Sequence, residues 1–437
     1  MAPAARFPPA LLLLLMLAPS PLRATGVALA PAAARSSSAA HTTAAAPWPR
    51  VSITDAAFGA VGDNETDNTA AIRAALAFVG AAGGGEVVVP APGVFKTGPM
   101  NLTSNVRLTV EGTLFGIEDA RLFPRVADLP SYDDMNPRCH PLVWAVHATN
   151  VSVVGHGVIN GAGPWWWPTF VNGTARPHLL EAYNVSGLTL LDVTMLNSAF
   201  WTLHPVYSRD VVIRGINITT PWCSDYKCAN TDGIDVDSTV NVLIEHNYIS
   251  CGDDHVTVIS GAGVKGRAFA MPSRNVTVRY NTLGTGMGLS IGSSVSGGVE
   301  DVTYQFNTMT EDARDWGQGM HIKTASARGG YVRNIAYLDN VFNVVSTGTI
   351  EIETDYQSGG ECNATSCTEI RDIVFRNITS LAGSPGSLSC FPERPCVNVT
   401  LENVHILPAD GTWSCNNVTG LTVIDVSPPG LEEACAA

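Results

Sequence analysis

One short phrase recurs along this chain: Asn or Asp, then Val or Ile, then alternating apolar and polar residues. It starts at Asn105 (NVRLTV), Asn150 (NVSVVG), Asp210 (DVVIRGINI), Asn241 (NVLIEHNYI), Asn275 (NVTVRYNTL), Asp301 (DVTYQF), Asn334 (NIAYLDNVF), Asp372 (DIVFRNIT) and Asn398 (NVTLENVHI). From Asp210 onward the heads are 31, 34, 26, 33, 38 and 26 residues apart. Each phrase alternates like a half-buried strand. One such unit cannot bury its inner face alone, but a stack of them can. A β-sandwich gives no reason for the same head on every strand. Leucine-rich repeats are shorter and leucine-framed, and propeller blades need four strands in ~40 residues. Irregular steps around a constant strand phrase fit a solenoid whose loops vary and whose strands do not. The expected fold is all-β: a single-stranded, right-handed parallel β-helix, which lets 437 residues form one unit.

The ends of such a stack need covers, because open sheet ends invite association. The stretch from Asp67 to Ala82 reads as a capping helix, with Asp67 at its start, Ile72, Leu76 and Val79 on one face, and Gly83 to Gly85 ending it. Residues 390–437, with four cysteines, are the expected C-terminal cover, and residues 48–437 the catalytic domain. Ahead of it, residues 1–24 read as a signal peptide, with Arg6, the apolar run from Ala10 to Ala18 and small residues around Ala24. That run is too short to span a bilayer. Residues 25–47 are an Ala/Ser/Pro-rich flexible lead-in. A secreted chain that leaves the membrane after cleavage, and a monomer, are expected. Ten cysteines suit an oxidising compartment, and Cys223/Cys228, Cys362/Cys367 and Cys390/Cys396 are spaced for local pairing. No true CxxC or accompanying His pair occurs, so no metal is expected. Eleven Asn-x-Ser/Thr sequons, among them Asn64, Asn101, Asn150, Asn217, Asn275 and Asn377, are candidate glycan acceptors. The formal charge of −14 argues against nucleic acid as a partner and requires a local basic patch for any acidic polymer.

Polar side chains gather at one place in successive coils. Asp232 lies 22 residues after its head, Asp253 and Asp254 lie 12 and 13 after theirs, and Met287 lies 12 after its own. His321 and Lys323 follow at 20 and 22, and Tyr356 at 22. On one sheet, neighbouring coils are about 4.8 Å apart. Asp232 then faces the Asp253/Asp254 pair, and His321 and Lys323, two apart on a strand, point the same way. Asp253 and Asp254 can share a site only if the chain bends, which Gly252 makes cheap. Three close carboxyls cannot all ionise freely, so at least one should be raised. An acid beside a carboxylate base is what glycoside hydrolysis requires. Asp235 and Asp237 read as turn or surface residues and are set aside. Trp165, Trp166 and Trp167 fit core packing better than sugar stacking. His255 either touches the site or lines the coil interior.

These motifs carry a resemblance to glycoside hydrolase family 28, the polygalacturonase-like pectinases. The marks are FGAVGDNETDNTAAI from Phe58, GGGEVVVPAPGVFKTG from Gly83, NSAFWTLHPV from Asn197, NTDGIDVDS from Asn230, GDD from Gly252, GLSIGSSVSGGV from Gly288 and HIKTASARGGYV from His321. The resemblance implies a pectin-type substrate cut at α-1,4-galacturonosyl linkages, with inversion and no cofactor. It implies Asp253 as general acid and Asp232 and Asp254 as holders of the attacking water. Asn230, His321, Lys323 and Tyr356 are the implied substrate-binding residues. Two positions depart from the family pattern: Met287 stands where Gly-His-Gly is usual, and His321 where Arg is usual. Those changes suggest altered activity or a shifted substrate, with a rhamnogalacturonan or other modified pectin as the runner-up. A non-catalytic carbohydrate-binding β-helix is the alternative from another class, and a lyase fits the aspartate trio poorly. GLSIGSSVSGGV and the segment from Gly261 to Arg274 look more like exo-acting and plant or bacterial relatives than fungal endo-enzymes.

Overall fold

A computed structural model describes residues 48–436 apart from 134–136, 173, 224–227, 312–316, 344, 346, 358–361, 364, 382 and 410. The expected leader and lead-in lie outside these residues. All nine heads of the recurring phrase adopt left-handed backbone, with φ between 54° and 61°. Asn and Asp are the non-glycine residues that tolerate that conformation best, which explains why the head is so restricted. The heads also bond to one another: Asn241 donates to Asp210 at 2.9 Å, Asn275 to Asn241 at 2.9 Å and Asn398 to Asp372 at 2.7 Å.

The residue after each head turns inward. Val211, Val242, Val276, Val302, Ile335, Ile373 and Val399 pair in register as one parallel column and are all buried. Each such side chain contributes roughly 1.5–3 kcal/mol relative to exposure. Three positions past the head, Tyr304, Tyr337 and Phe375 stack inside the coil with centroids 4.7 and 5.1 Å apart. Six positions past it, Asn247, Asn281, Asn307 and Asn340 form a buried ladder with amide-to-amide bonds of 2.9, 2.9 and 3.0 Å. Those side chains also accept backbone N–H groups at the corner, so the turn is satisfied without water.

The strands form parallel ladders, one of them an eleven-stranded sheet from Met100–Leu102 through Ser414–Asn416, and this is the expected parallel β-helix. Alternation in that sheet sends Ile234 and Val236 into the core and Asp235 and Asp237 outward. The outward column therefore passes from Glu181 and His204 to Asp235, Thr257, Ser290, His321 and Glu351 along successive coils. Chemistry is built on this face.

Helix α1 (Thr69–Ala81) covers the N-terminal end and buries Ile72, Ala75, Leu76 and Val79. It starts two residues later than Asp67 suggested, because Asp67 is still in an extended segment and its carboxylate accepts the Thr69 N–H at 2.8 Å. Trp166 and Trp167 pack as core, with Trp166, in α2 (Gly163–Trp166), edge-on to buried Phe123 at 5.2 Å, whereas Trp165 is exposed. Disulfides join Cys223–Cys228, Cys362–Cys367, Cys390–Cys396 and Cys415–Cys435, while Cys139 and Cys251 are free and buried. At the C-terminal end, the helix Leu431–Ala436 is tied to the last strand of the eleven-stranded sheet by the Cys415–Cys435 bond. No helix among the described residues is long and apolar enough to cross a membrane.

Candidate active site

A groove of roughly 760 Å³ lies on the outward face of the eleven-stranded sheet. Asp232 enters it from the turn before strand Ile234–Asp237, and Asp253 and Asp254 from the turn before Val256–Ile259. The chain bends there as Gly252 allows: a Cβ on Gly252 would stand 2.4 Å from the Thr231 hydroxyl, so the two turns could not close on each other with a larger residue. The bend brings both adjacent aspartates to one site, and carboxyl oxygens of Asp232, Asp253 and Asp254 lie within 4.8 Å of one another.

The three carboxyls are held differently. Asp254 accepts from the Lys323 ammonium at 2.8 Å and from the Ser290 hydroxyl at 2.7 Å, so both of its oxygens are engaged. Asp253 accepts the backbone N–H of Asn230 at 3.0 Å and of Asp254 at 3.0 Å, and part of it stays open to the groove. Burial and the neighbouring charge of Asp254 push Asp253 up to about 6, against the opposing pull of Lys323 and the two N–H bonds. Asp232 is raised well above the carboxylate range, by burial first and then by Asp253 and the other acids. Its Oδ1 is buried without a protein donor among the described residues. A cation could bind this trio by donor type, but the Lys323 ammonium already lies against it.

Asp235 corrects the sequence reading. It is a buried strand residue that lines the groove, and burial together with Asp254 and Asp253 raises it well above its usual range. Asp237 is also fully buried in that strand, where it accepts from Tyr132 at 2.7 Å. Asp is common in turns, but here both belong to a strand. The alternation of IDVD carried the contrary signal, since it sets both acids on one side of a strand.

The expected binding residues divide into two groups. Asn230, Lys323 and Tyr356 line the groove, and the Lys323 ammonium sits 5.0 Å from the Tyr356 ring centroid. His321 does not line it: the ring is 1% exposed, lies edge-on to Tyr356 at 5.8 Å and 3.6 Å from the Glu353 carboxylate. It shares a face with Lys323 as expected but is overlaid, so the expectation that His321 binds substrate directly has no geometric support. Met287 lines the groove and donates its N–H to the Asp253 carbonyl at 2.8 Å. His255 is fully buried and neutral, its pKa lowered to about 4 chiefly by burial. It accepts the Gly288 N–H at 3.0 Å and bonds the Gly284 carbonyl at 2.9 Å, holding the loop that carries Met287. Gly286 has a positive φ of 159°, and a Cβ there would stand 2.5 Å from the His255 ring, so only Gly fits beside it.

Other groove residues escaped the sequence reading, among them Trp201, Trp222, Gln318 and Glu353. They come from loops and strands whose composition gives no local signal. A separate recess of roughly 680 Å³, lined by His147, Asn184, Tyr207, Arg209 and Met271, lies at a coil corner and has no converging carboxyls.

Residues 81–430 match the model of glycosyl hydrolases family 28. The chain is 33% identical to a probable polygalacturonase of Vitis vinifera over 84% of its own length and 77% of that protein. Among solved structures it is similar to a hyperthermoactive exopolygalacturonase from Thermotoga maritima, with a TM-score of 0.70, 28% identity, and coverage of 87% of this chain and 93% of that one. It is also similar to a polygalacturonase from Erwinia carotovora, with a TM-score of 0.69, 26% identity, and coverage of 82% and 94%. With the match spanning most of the chain and the acids gathered on the face where the fold exposes a groove, this protein belongs to glycosyl hydrolase family 28.

Proposed function

We propose that the protein is a secreted glycosidase that hydrolyses α-1,4-galacturonosyl linkages of pectin. The observation that carries this is the convergence of Asp232, Asp253 and Asp254 within 4.8 Å in an open groove, beside a single buried ammonium. Asp253, raised to about 6, keeps a proton in mildly acidic solution and gives it to the glycosidic oxygen as the C–O bond breaks. A water held by Asp232 and Asp254 attacks the anomeric carbon and loses a proton to Asp254. Lys323 balances the charge on Asp254 and, with Tyr356, meets the sugar on that side.

Carboxyl groups this close are nearer than the roughly 6.5–9.5 Å typical of inverting acid–base pairs, which favours a second reading in which a carboxylate attacks directly and the product is retained. Two features favour inversion. Asp254 has both oxygens engaged, which blunts it as a nucleophile, and the raised Asp232 is a poor one. The anomer first released, followed by NMR, separates the two.

Residues 1–24 act as the signal peptide, 25–47 as the lead-in and 48–437 as the catalytic domain of a monomer. Four disulfides and the exposure of every described sequon asparagine support an extracellular glycoprotein. Several sequons, such as Asn150, Asn275 and Asn398, are spelled by the repeat itself: Asn at the left-handed head, an inward Val, then an outward Ser or Thr.

The test is reducing-sugar release from polygalacturonate, rhamnogalacturonan and neutral glycans. Release from polygalacturonate is expected, with a loss of about 10²–10⁴-fold in Asp253→Asn. Release confined to rhamnogalacturonan would move the protein to the runner-up substrate, and release unchanged by the substitution would remove Asp253 from its role.

A further inference from the structure

The proposed acid Asp253 is bonded by a peptide group that is itself gripped from behind, and we infer that Arg176 is the positioning residue that keeps this peptide aimed at the acid. This rests on the hydrolase reading above. The peptide joins Ala229 to Asn230. Its N–H donates to the Asp253 carboxylate at 3.0 Å, and its carbonyl accepts the Arg176 guanidinium at 2.9 Å. In a trans peptide the N–H and C=O point in opposite directions. One peptide plane therefore stands between guanidinium and acid, with the positive end of its dipole on Asp253. A cation on the carbonyl polarises the peptide and strengthens the bond that its N–H makes. Arg176 is buried, which lowers its pKa to about 10, while the charges of Asp232 and Asp253 pull it back up, so it remains a cation at neutral pH.

The peptide needs that grip. Asn230 has left-handed backbone, with φ of 58°. A half-turn of the 229–230 plane would return Asn230 to an ordinary negative φ, and it would point the carbonyl oxygen at Asp253 in place of the N–H. The chain on either side is fixed. The Thr231 hydroxyl donates to the Cys228 carbonyl at 2.7 Å, and the Thr202 N–H donates to the Asp232 carbonyl at 2.9 Å. Those bonds pin the ends of the turn but do not set the plane between them. Arg176 on one side and Asp253 on the other oppose the rotation.

The same guanidinium also ties two coils together. Its other terminal nitrogen donates to the Ala199 carbonyl at 2.9 Å, and its carbon lies 5.0 Å from the Phe200 ring centroid. Phe200 stacks on Trp201 at 5.3 Å, and Trp201 lines the groove. Ala199 precedes strand Leu203–Val206 and Ala229 precedes strand Ile234–Asp237, which are neighbours in the sheet. A planar fork can bond both carbonyls in one fixed geometry, whereas an ammonium is a point charge on a flexible stem. Other charged and titratable groups face Asp253: Asp254 raises it and Lys323 lowers it, and Asp232, Asp235, Cys251 and Tyr356 feel its charge. A substitution at Arg176 leaves all of these in the protein, so a change at Asp253 reads the loss of the guanidinium.

The test is the titration of Asp253, followed by carboxyl-carbon NMR, with its resonance identified by its absence from Asp253→Asn. Arg176→Ala should move the midpoint up by about half a pH unit or more, because the cation and the N–H bond both favour the carboxylate. The upper limb of kcat/KM should move with it, and kcat/KM on polygalacturonate near pH 5 should fall about tenfold or more. Arg176→Lys keeps the charge and much of the volume, reads the same midpoint if the alanine variant does not fold, and should show a smaller shift of the same sign. An unchanged midpoint in a folded variant, even with a loss of rate, would overturn the inference and leave Arg176 as a tie between coils. Absence of hydrolysis by the wild-type protein would count against the hydrolase reading instead, while the midpoint would still decide whether Arg176 positions the peptide on Asp253.

Discussion

Two acidic clusters sit on the same face of the same sheet, and their surroundings give them opposite characters. Glu181 and Asp237 are as buried as any described residue, but Arg138, His204 and Tyr132 supply donors to them. Burial pushes Glu181 up, yet the His204 bond and the Arg138 charge outweigh it and hold the carboxyl at about 2. His204, lying between the two acids, ends up raised: burial lowers it, and its bonds to Asp237 and Glu181 more than reverse that. On the groove side, from the same strand and the next coil, Asp232, Asp235 and Asp253 all feel the charge of Lys323, which is already paired with Asp254. There burial and mutual repulsion win, and the acids are raised. Residue type and sheet position are alike; the number of partners decides whether a carboxylate becomes a structural ion or a proton carrier.

The largest expected effect breaks the satisfied cluster. Arg138→Ala leaves Glu181 buried without its guanidinium partner, and should cost about 3–5 kcal/mol in urea unfolding. Lys323→Ala, at the edge of an open groove, should cost clearly less stability and more activity; equal stability losses would remove the distinction.

The second prediction uses pH. Asp253 is raised, so the stability it contributes is full below its ordinary value of 3.8 and is lost as pH rises through about 6. Asp253→Asn should therefore be more stable than wild type at pH 7, by roughly 1–3 kcal/mol, and not at pH 3. Glu181 has the opposite sign: its contribution is present above 4.5 and lost as pH falls through about 2. Thermal melts of both proteins across pH 2–8 check both signs.

The third concerns rate. With Asp253 as the acid, kcat/KM should fall about tenfold per pH unit above about 6. A flat profile to pH 8 would assign the proton to another group. The smallest effect is expected at His321, which is covered. His321→Arg should change kcat/KM by less than about threefold on polygalacturonate, at a cost of about 1–3 kcal/mol for forcing a longer side chain into a packed position. A large gain in affinity would show that the ring can leave its place under Tyr356.

Much of the architecture was legible in the chain. The head asparagine, the inward residue after it and the alternating strand are local rules, because left-handed backbone and strand alternation are set within a few residues. The capping helix and the trio Asp232, Asp253 and Asp254 followed from the same spacing. Exposure was not legible. His321 and Lys323 are two apart on one strand and share a face, yet only Lys323 reaches the groove, because Tyr356 and Glu353 from the next coil overlie His321. Asp235 and Asp237 are also two apart on one strand, and one became a groove acid while the other was sealed under Tyr132, more than a hundred residues away. The repeat by itself determined the coil, the face and the presence of paired acids, because those depend on neighbours in sequence. Tertiary structure alone decided which acids find a cation and which are covered, because partners arrive from segments whose sequence separation says nothing about contact.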